Sequence, residues 1–169
     1  GVLILPQRQT VLVAQQAADV DLLSHQRLRL GIGTGWNYVE YHALGQHFET
    51  RGARADEQIP FLRRLWSEHV MSFDGKFDRI DRGNILPRPK RQIPIWIGGF
   101  TEPAFRRGGR LGDGYIFAGD IEHATQGWER VRHHLRESGR DEKGFGRELI
   151  TIRATDLQQT VDTLKRWQD

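Results

Sequence analysis

Hydrophobic positions along the chain follow two alternating patterns, short continuous runs and longer periodic stretches. The continuous runs predict β-strands at residues 2–5, 27–33, 93–98, 113–118 and 148–154. The periodic stretches predict helices at residues 11–23, 53–67, 101–111, 121–138 and 156–168. Because strands that are apolar on both faces alternate with helices, the pattern favours an α/β fold in which helices cover a parallel sheet.

The first two helical stretches carry apolar stripes, which we expect to face the core. The stripe residues are Val13, Ala17, Val20 and Leu23 in the first helix, and Ile59, Leu62, Leu65 and Trp66 in the second.

Residues 70–92 interrupt the alternation of strands and helices. Turn signals stand at Asp74-Gly75 and at Arg82-Gly83-Asn84, and two prolines follow. We therefore predict an insertion of about this extent, with a small β-hairpin around Asp74-Gly75. The sequence leaves open whether the insertion is a wall of a substrate site or a structural flap.

Composition places the chain among soluble globular proteins. Its 169 residues are 37% hydrophobic and 28% charged, with a formal net charge of +3, and we expect one domain, residues 1–169. No apolar run approaches the roughly 20 residues of a membrane span. The chain has no Cys, which excludes disulfides and thiolate chemistry. We expect a cytoplasmic protein with neither a membrane nor a nucleic acid as partner, since the basic residues are scattered among acidic ones.

Side chains with the spacing of a catalytic motif are scarce. The chain contains no G-x-S-x-G, Walker or H-E-x-x-H sequence, so no catalytic residue is assigned. His133 and His134 are neighbours that point about 100° apart on a helix, which makes them a poor metal pair, and we expect no metal. The pattern is typical of a protein that holds a small organic cofactor.

Two adjacent glycines, Gly98 and Gly99, lie between a predicted strand and a helix that begins near Thr101. One interpretation is a tight turn. The other is an anion site, because glycine allows close backbone approach and a helix amino terminus attracts negative charge. Taken alone, the stretch favours the tight turn.

A second glycine-rich stretch, 31-GIGTGWN, also follows a predicted strand. Its spacing does not match the G-x-G-x-x-G of a dinucleotide-binding fold, so we exclude that fold. What remains is a loop with Thr34, Trp36 and Asn37 at the carboxyl end of a strand, where ligands bind in open sheets and in barrels.

Taken in order, these motifs resemble the luciferase-like monooxygenase superfamily, and within it the F420-dependent oxidoreductases. The resemblance rests on 24-SHQRLRLGIGTGWNYVEYHALG, 51-RGARADEQIPFLRRLW, Phe73 with Gly75, 94-PIWIGG and 111-LGDGYIF. It implies a (β/α)8 TIM barrel in which residues 1–5 are the third strand and residues 148–154 the seventh. Strands one, two and eight have no counterpart, so the resemblance implies an incomplete barrel.

The resemblance also implies roles for individual residues. Gly98 and Gly99, with Phe100 and Thr101 beside them, would lie against the phosphate of the cofactor side chain. Thr34 and Gly35 would follow the cofactor's ring or ribityl chain. Gly1 and Val2 match a strand bulge behind the ring, where the family commonly has a non-prolyl cis peptide. Trp36 and Asn37 would contact the substrate.

The implied function is hydride transfer between F420 and an unidentified small organic substrate. One alternative is an FMN-dependent monooxygenase that uses O2, and another is a non-catalytic remnant of such a barrel. A sugar phosphate is disfavoured, because Trp36 stands where the family's sugar-phosphate dehydrogenases carry a catalytic Glu, and residues 118–120 replace their phosphate-binding Thr and Lys. The resemblance further implies a homodimer, to which the helix at residues 11–23 could contribute.

Overall fold

The computed structural model describes residues 1–150 and 157–168, and the chain divides into two compact units, Gly1–Ile95 and Trp96–Asp169. The first unit contains β1 (Leu3–Ile4), a single 3-10 turn (Leu5–Gln7), α1 (Thr10–Leu23), β2 (Leu30–Gly33), α2 (Tyr38–Ala43), α3 (Arg51–Ser67), β3 (Met71–Asp74) and β4 (Arg79–Gly83). Strands β1 and β2 are parallel, with Leu3 opposite Ile32 and Ile4 opposite Gly33.

The first strand of the second unit starts at Ile95, the last residue of the first unit. The elements of the second unit are β5 (Ile95–Gly98), α4 (Glu102–Leu111), β6 (Gly114–Ala118), α5 (Ile121–Glu137), β7 (Gly146–Ile150) and α6 (Leu157–Gln168). Strand β6 pairs in parallel with β5 and with β7. The predicted alternation of helices with parallel strands is therefore confirmed. Residues 151–154 of the predicted last strand lie outside the described residues.

The apolar stripe predicted for α3 faces the core of the first unit. Ile59, Leu62 and Leu65 are 0% exposed and Trp66 is 3% exposed. The indole Nε1 of Trp66 donates a hydrogen bond of 3.1 Å to the carbonyl of Ala14 in α1. The second helical stripe of the sequence is therefore confirmed, and it packs on α1.

The stripe predicted for α1 is wrong in its second half. Val13 and Ala17 are buried, but Val20 is 49% and Leu23 is 83% exposed. Apolar residues occur on every face of α1, so the helical period alone does not select the buried face. The buried residue near the carboxyl end of α1 is Asp21.

Asp21 is the centre of a cluster of polar contacts. Its Oδ1 accepts hydrogen bonds from Nη2 of Arg91 at 2.7 Å and from the main-chain N–H of Leu28 at 3.2 Å. The same Arg91 nitrogen donates to the carbonyl of Leu28 at 2.8 Å. Because a buried carboxylate is costly without such partners, these contacts explain how α1 can bury Asp21.

The hairpin predicted around Asp74-Gly75 is present as the antiparallel pair β3–β4. The side chain of Glu57, in α3, accepts hydrogen bonds from the main-chain N–H groups of Lys76, Phe77 and Asp78 at 2.7, 2.9 and 2.9 Å. One carboxylate thus ties the hairpin turn to α3.

The residues that follow the hairpin return to the carboxyl-terminal half of α3. Nη1 of Arg88 donates to the carbonyl of Ser67 at 3.0 Å, and Nε2 of Gln92 donates to the carbonyl of Arg63 at 3.0 Å. The chain between Ser67 and Gln92 therefore leaves α3 and returns to it. No helix in the described residues is both long and apolar enough to cross a membrane.

In the second unit, α4 and α5 cross at a glycine. A Cβ atom on Gly109 would lie 2.6 Å from Cβ of His134 and 2.8 Å from the main-chain nitrogen of Leu135. Real Cβ atoms do not approach so closely, so the two helix backbones can pack at this distance only because residue 109 is glycine.

Candidate functional site

The first candidate loop follows β2 and contains Thr34, Gly35, Trp36 and Asn37. Gly35 has a positive φ of 66°, and a Cβ there would lie 3.0 Å from Cγ2 of Ile4, so the loop passes close to the end of β1. The hydroxyl of Tyr41 donates a hydrogen bond of 2.6 Å to the carbonyl of Thr34. Burial raises the pKa of Tyr41 to about 12, so this hydroxyl remains a donor at neutral pH.

Trp36 and Asn37, predicted to contact the substrate, differ in what their side chains do. Trp36 is 85% exposed, and its indole is accessible to a ligand. Asn37 is the N-cap of α2: its Oδ1 accepts from the main-chain N–H of Val39 at 3.1 Å and its Nδ2 donates to Oε1 of Glu40 at 3.1 Å. The side-chain amide of Asn37 thus stabilises the first turn of α2.

Gly1 and Val2 lie at the amino end of β1, and both are exposed. The parallel register sets Ile4 beside Gly33, so the loop at residues 34–37 continues from the opposite end of this strand pair. The structure therefore does not bring Gly1 and Val2 next to Thr34 and Gly35. Within the described residues the cis peptide bond joins Leu86 and Pro87, and Gly1–Val2 is trans.

The second candidate loop, Gly98 to Thr101, connects β5 to α4. Gly98 is opposite Ile116 in the parallel sheet, and the hydroxyl of Tyr115 donates a hydrogen bond of 3.0 Å to the carbonyl of Gly99. A Cβ on Gly99 would lie 2.7 Å from Cβ of Ala104. Glycine at position 99 is therefore required by the packing of the loop on its own helix, whether or not a cofactor binds.

Tyr115 is held in an aromatic cluster inside the second unit. Its ring centroid lies 5.6 Å from that of Phe105 and 4.7 Å from that of Phe117, and its side chain is 0% exposed. Burial raises the pKa of Tyr115, so its hydroxyl stays protonated and donates to Gly99. The position of Gly99 is thus fixed from the core.

Hydrogen-bond donors are exposed where this loop meets α4. Thr101 is the N-cap of α4, but its side chain makes no capping hydrogen bond. Among the residues that the structure describes, the main-chain N–H groups of Phe100 and Thr101 have no acceptor. Phe100 is 73% exposed. Unpaired N–H groups and a free hydroxyl at a helix amino terminus suit an anion such as a phosphate.

An acidic residue follows these donors at once, but its charge is compensated. Oε1 of Glu102 lies 2.6 Å from Nε2 of His134, and Oε2 is hydrogen-bonded to Nη1 of Arg130. The hydrogen bonds from His134 and then from Arg130 hold the pKa of Glu102 below its usual range. The carboxylate is therefore drawn toward α5 and neutralised there, which leaves the helix terminus open to an anion.

The loop after β6 carries a negative charge, in contrast to the hydrogen-bond donors of the loop after β5. Asp120 is the N-cap of α5, and its Oδ1 accepts from the main-chain N–H of His123 at 2.8 Å. This main-chain hydrogen bond, together with one from the His123 ring, lowers the pKa of Asp120. A fixed carboxylate at this edge of the sheet disfavours a phosphate there.

Sequence reasoning missed the two tyrosines that hold the candidate loops. Tyr41 and Tyr115 lie 7 and 16 residues from the carbonyls that they bind. A signal was available for Tyr115, which lies inside an apolar run, since a buried tyrosine needs a hydrogen-bond partner; Tyr41 lies between Glu40 and His42 and offers no such signal. The structure groups Thr34 to Asn37 in the first unit and Gly98 to Thr101 in the second.

Comparisons with known proteins agree with the motifs. An uncharacterized protein of Mycobacterium tuberculosis is 35% identical over 169 residues, which is 99% of this chain and 57% of that protein. An F420-dependent glucose-6-phosphate dehydrogenase of Kineococcus radiotolerans is 32% identical, over 92% of this chain and 48% of that enzyme. An FMNH2-dependent dimethylsulfone monooxygenase of Pseudomonas fluorescens is 33% identical, over 66% of this chain and 32% of that enzyme. The chain thus spans about half the length of the curated relatives that it matches.

The fold also matches a solved structure. An F420-dependent secondary alcohol dehydrogenase in complex with an F420–acetone adduct superimposes with a TM-score of 0.75 at 18% identity, over 83% of this chain and 44% of that chain. The described residues therefore form part of a luciferase-like TIM barrel. The sequence profile of the family described as luciferase-like monooxygenase matches residues 1–162. With this match and the relatives above, the chain belongs to the luciferase-like monooxygenase family.

Proposed function

We propose that this chain is part of an oxidoreductase that binds the deazaflavin F420 and transfers a hydride to or from a small organic substrate. The observation that carries the proposal is the loop from Gly98 to Thr101, whose unpaired N–H groups meet the amino terminus of α4. The family contains F420-dependent dehydrogenases as well as FMNH2-dependent monooxygenases.

In this proposal the loop binds the phosphate of the cofactor side chain. The main-chain N–H groups of Phe100 and Thr101 and the hydroxyl of Thr101 donate to phosphate oxygens, and the dipole of α4 adds to the attraction. F420 would supply the hydride chemistry at its C5 atom, and the contribution of the protein is binding and orientation.

The substrate is proposed to be planar or apolar. Trp36 is 85% exposed, and its indole offers a flat apolar surface beside the loop at residues 34–37. The sequence argument against a sugar phosphate gains support from Asp120, whose carboxylate occupies the loop after β6. A negatively charged substrate group at that edge would be repelled.

Titration of the purified chain with F420 and with FMN tests the proposal, with fluorescence quenching as the readout. We expect saturable binding, tighter for F420 than for FMN. In Thr101→Val we expect affinity for both to fall by about 10- to 100-fold, because a hydrogen bond to a charged group is worth about 1.5–3 kcal/mol. Thr125→Val is the matched control, since that hydroxyl donates to the helix carbonyl of Ile121 at 2.8 Å.

The relative affinities for F420 and FMN distinguish the three functions. Tighter binding of FMN than of F420 would favour the monooxygenase function, for which the FMNH2-dependent relative is the supporting observation. Absence of binding to either cofactor, in a chain whose circular dichroism shows it folded, would favour the non-catalytic remnant. If Thr101→Val and the parent chain bind with equal affinity, the cofactor phosphate does not bind at this loop.

A further inference from the structure

A cluster of imidazole and carboxylate groups lies on α5. Within it, His133, His134 and Glu137 each present one donor atom, and the three atoms lie within 4.8 Å of one another. Nδ1 of His134 is 2.9 Å from Oε2 of Glu137, and Nε2 of His133 is 3.3 Å from Oε1 of the same carboxylate. One carboxylate therefore faces two imidazoles.

The spacing of the three residues explains this convergence. Glu137 follows His133 by four positions and His134 by three, and residues at both spacings are neighbours on a helix surface. The two histidines do point apart, as the sequence analysis argued. The structure shows that they nevertheless meet, because each ring turns toward the carboxylate one helical turn away.

His134 is held in place from its other side. Its side chain is 11% exposed, and its Nε2 lies 2.6 Å from Oε1 of Glu102 in α4. Glu102 is in turn bonded to Arg130. A histidine that donates one ring N–H to a carboxylate has its other nitrogen oriented as a metal ligand, and this arrangement is common around protein metal sites.

The remaining two side chains open to solvent. His133 is 66% and Glu137 is 57% exposed, so an ion can reach them and the side chains can adjust. Two nitrogen donors and one carboxylate are a ligand set that Zn2+ uses when a water occupies the fourth position. Zinc–ligand distances of about 2.0–2.2 Å place neighbouring donor atoms about 3.3 Å apart in a tetrahedron, close to the 2.9 and 3.3 Å between Glu137 and the two imidazoles.

We propose that His133, His134 and Glu137 form a Zn2+ site on α5, with Glu102 orienting His134. This reverses the expectation that His133 and His134 are a poor metal pair. Glu102 directly follows Thr101, so the site adjoins the proposed cofactor loop, but it does not depend on the proposed oxidoreductase function.

Isothermal titration calorimetry of the full chain with ZnCl2, after treatment with a chelator, tests the site. We expect one ion per chain with micromolar affinity. We expect His133→Ala and Glu137→Gln to weaken binding by about tenfold or more, as is typical when a ligand or its orienting partner is lost. His123→Ala is the matched control, because His123 is paired with Asp120 on the same helix at 2.8 Å, and we expect it to bind as the parent does.

A second measurement separates coordination from loose association. Co2+ in place of Zn2+ should give the strong visible absorption of a tetrahedral ion, and His133→Ala should abolish it. The proposal is overturned if the parent chain binds no Zn2+ at millimolar concentration. It is also overturned if His133→Ala and Glu137→Gln bind Zn2+ as tightly as His123→Ala.

Discussion

The hydroxyl of Tyr115 donates a hydrogen bond of 3.0 Å to the main-chain carbonyl of Gly99. The first unit has the same arrangement, in which Tyr41 donates to the carbonyl of Thr34 at 2.6 Å. Both tyrosines are 0% exposed. In each unit, therefore, a predicted cofactor loop is positioned by a side chain of the core.

Removing the Tyr115 hydroxyl should affect both stability and binding. Tyr115→Phe leaves the carbonyl of Gly99 without this partner, and we expect the free energy of unfolding to fall by about 1 kcal/mol. We also expect affinity for F420 or FMN to fall, because the loop is less well fixed. Urea denaturation and cofactor titration measure the two effects. Tyr38→Phe, at a side chain that is 59% exposed, is the control, and equal behaviour of the two variants would contradict the anchoring role.

Gly109→Ala should destabilise the second unit. In an ordinary helix this change is stabilising by about 1 kcal/mol, because alanine has the higher helix propensity. Here the new Cβ would meet the backbone of α5 at 2.8 Å, which cannot move aside as a side chain can. We expect a net loss of about 1–3 kcal/mol, as is usual for overpacking.

Thermal unfolding measures this loss, with Arg106→Ala as the control on an exposed position of the same helix. An unchanged or raised melting temperature of Gly109→Ala would show that α4 and α5 are less closely packed than described. Titration with Zn2+ offers a second readout for the proposed site, since a Cβ on residue 109 would lie 2.6 Å from Cβ of His134.

Asp78 should make stability depend on pH. Burial raises the pKa of this carboxyl, although the hydrogen bond from Thr10 Oγ1 at 2.8 Å opposes the shift. Because the folded-state pKa exceeds the unfolded-state pKa, the contribution of Asp78 is fully present below the unfolded-state pKa and is lost as pH rises through the folded-state pKa. Asp78→Asn has no carboxyl group that titrates, so its stability relative to the parent should increase as pH rises.

Denaturation of both proteins between about pH 4, near the usual Asp pKa, and neutral pH measures this difference. We expect Asp78→Asn to be at least as stable as the parent at neutral pH. Asp74→Asn, at an exposed carboxyl of the same hairpin, is the matched control. If the parent loses stability relative to Asp78→Asn as the pH is lowered, the assigned direction is wrong.

Glu57 should control the order of the hairpin turn. It is the common acceptor for the N–H groups of Lys76, Phe77 and Asp78. Glu57→Ala removes all of these bonds, each worth about 1.5–3 kcal/mol because the acceptor is charged. We expect hydrogen exchange at these amides to accelerate by about tenfold or more, measured by mass spectrometry, while exchange within α5 stays unchanged. Equal exchange in the variant and the parent would mean that the turn is ordered without Glu57.

The sequence predicted the larger elements well because their patterns are long. The stripe of α3 is correct, since polar residues separate its apolar positions clearly. Helix α2 was not predicted, because its six residues are too few to show a period. Its start signal was present in Asn37, which is the N-cap of α2; the contact of Asn37 with a substrate stays a prediction.

The loops of the candidate sites were predictable from the sequence, but the contacts that hold them were not. Glycines mark loops that follow strands, and such loops were found in the sequence. What holds the loops was not found, because the tyrosine anchors and the pairing of Glu102 with His134 join residues on different elements. Helical geometry also hid the proposed Zn2+ ligands, since the two histidines alone point apart and only Glu137 relates them.

The polar contacts at the carboxyl end of the hairpin segment have a consequence for the insertions that the segment can accept. Arg88 and Gln92 attach its end to the same helix from which it starts, and Arg91 attaches it to Asp21. The closure of the segment is thus set by its ends, and doubling the length of such a loop costs only about 0.6 kcal/mol. Insertions between Asp74 and Arg79 should leave these end contacts in place, so the cost of a peptide grafted there would be confined to the turn and to the hydrogen bonds that it makes with Glu57 and Thr10.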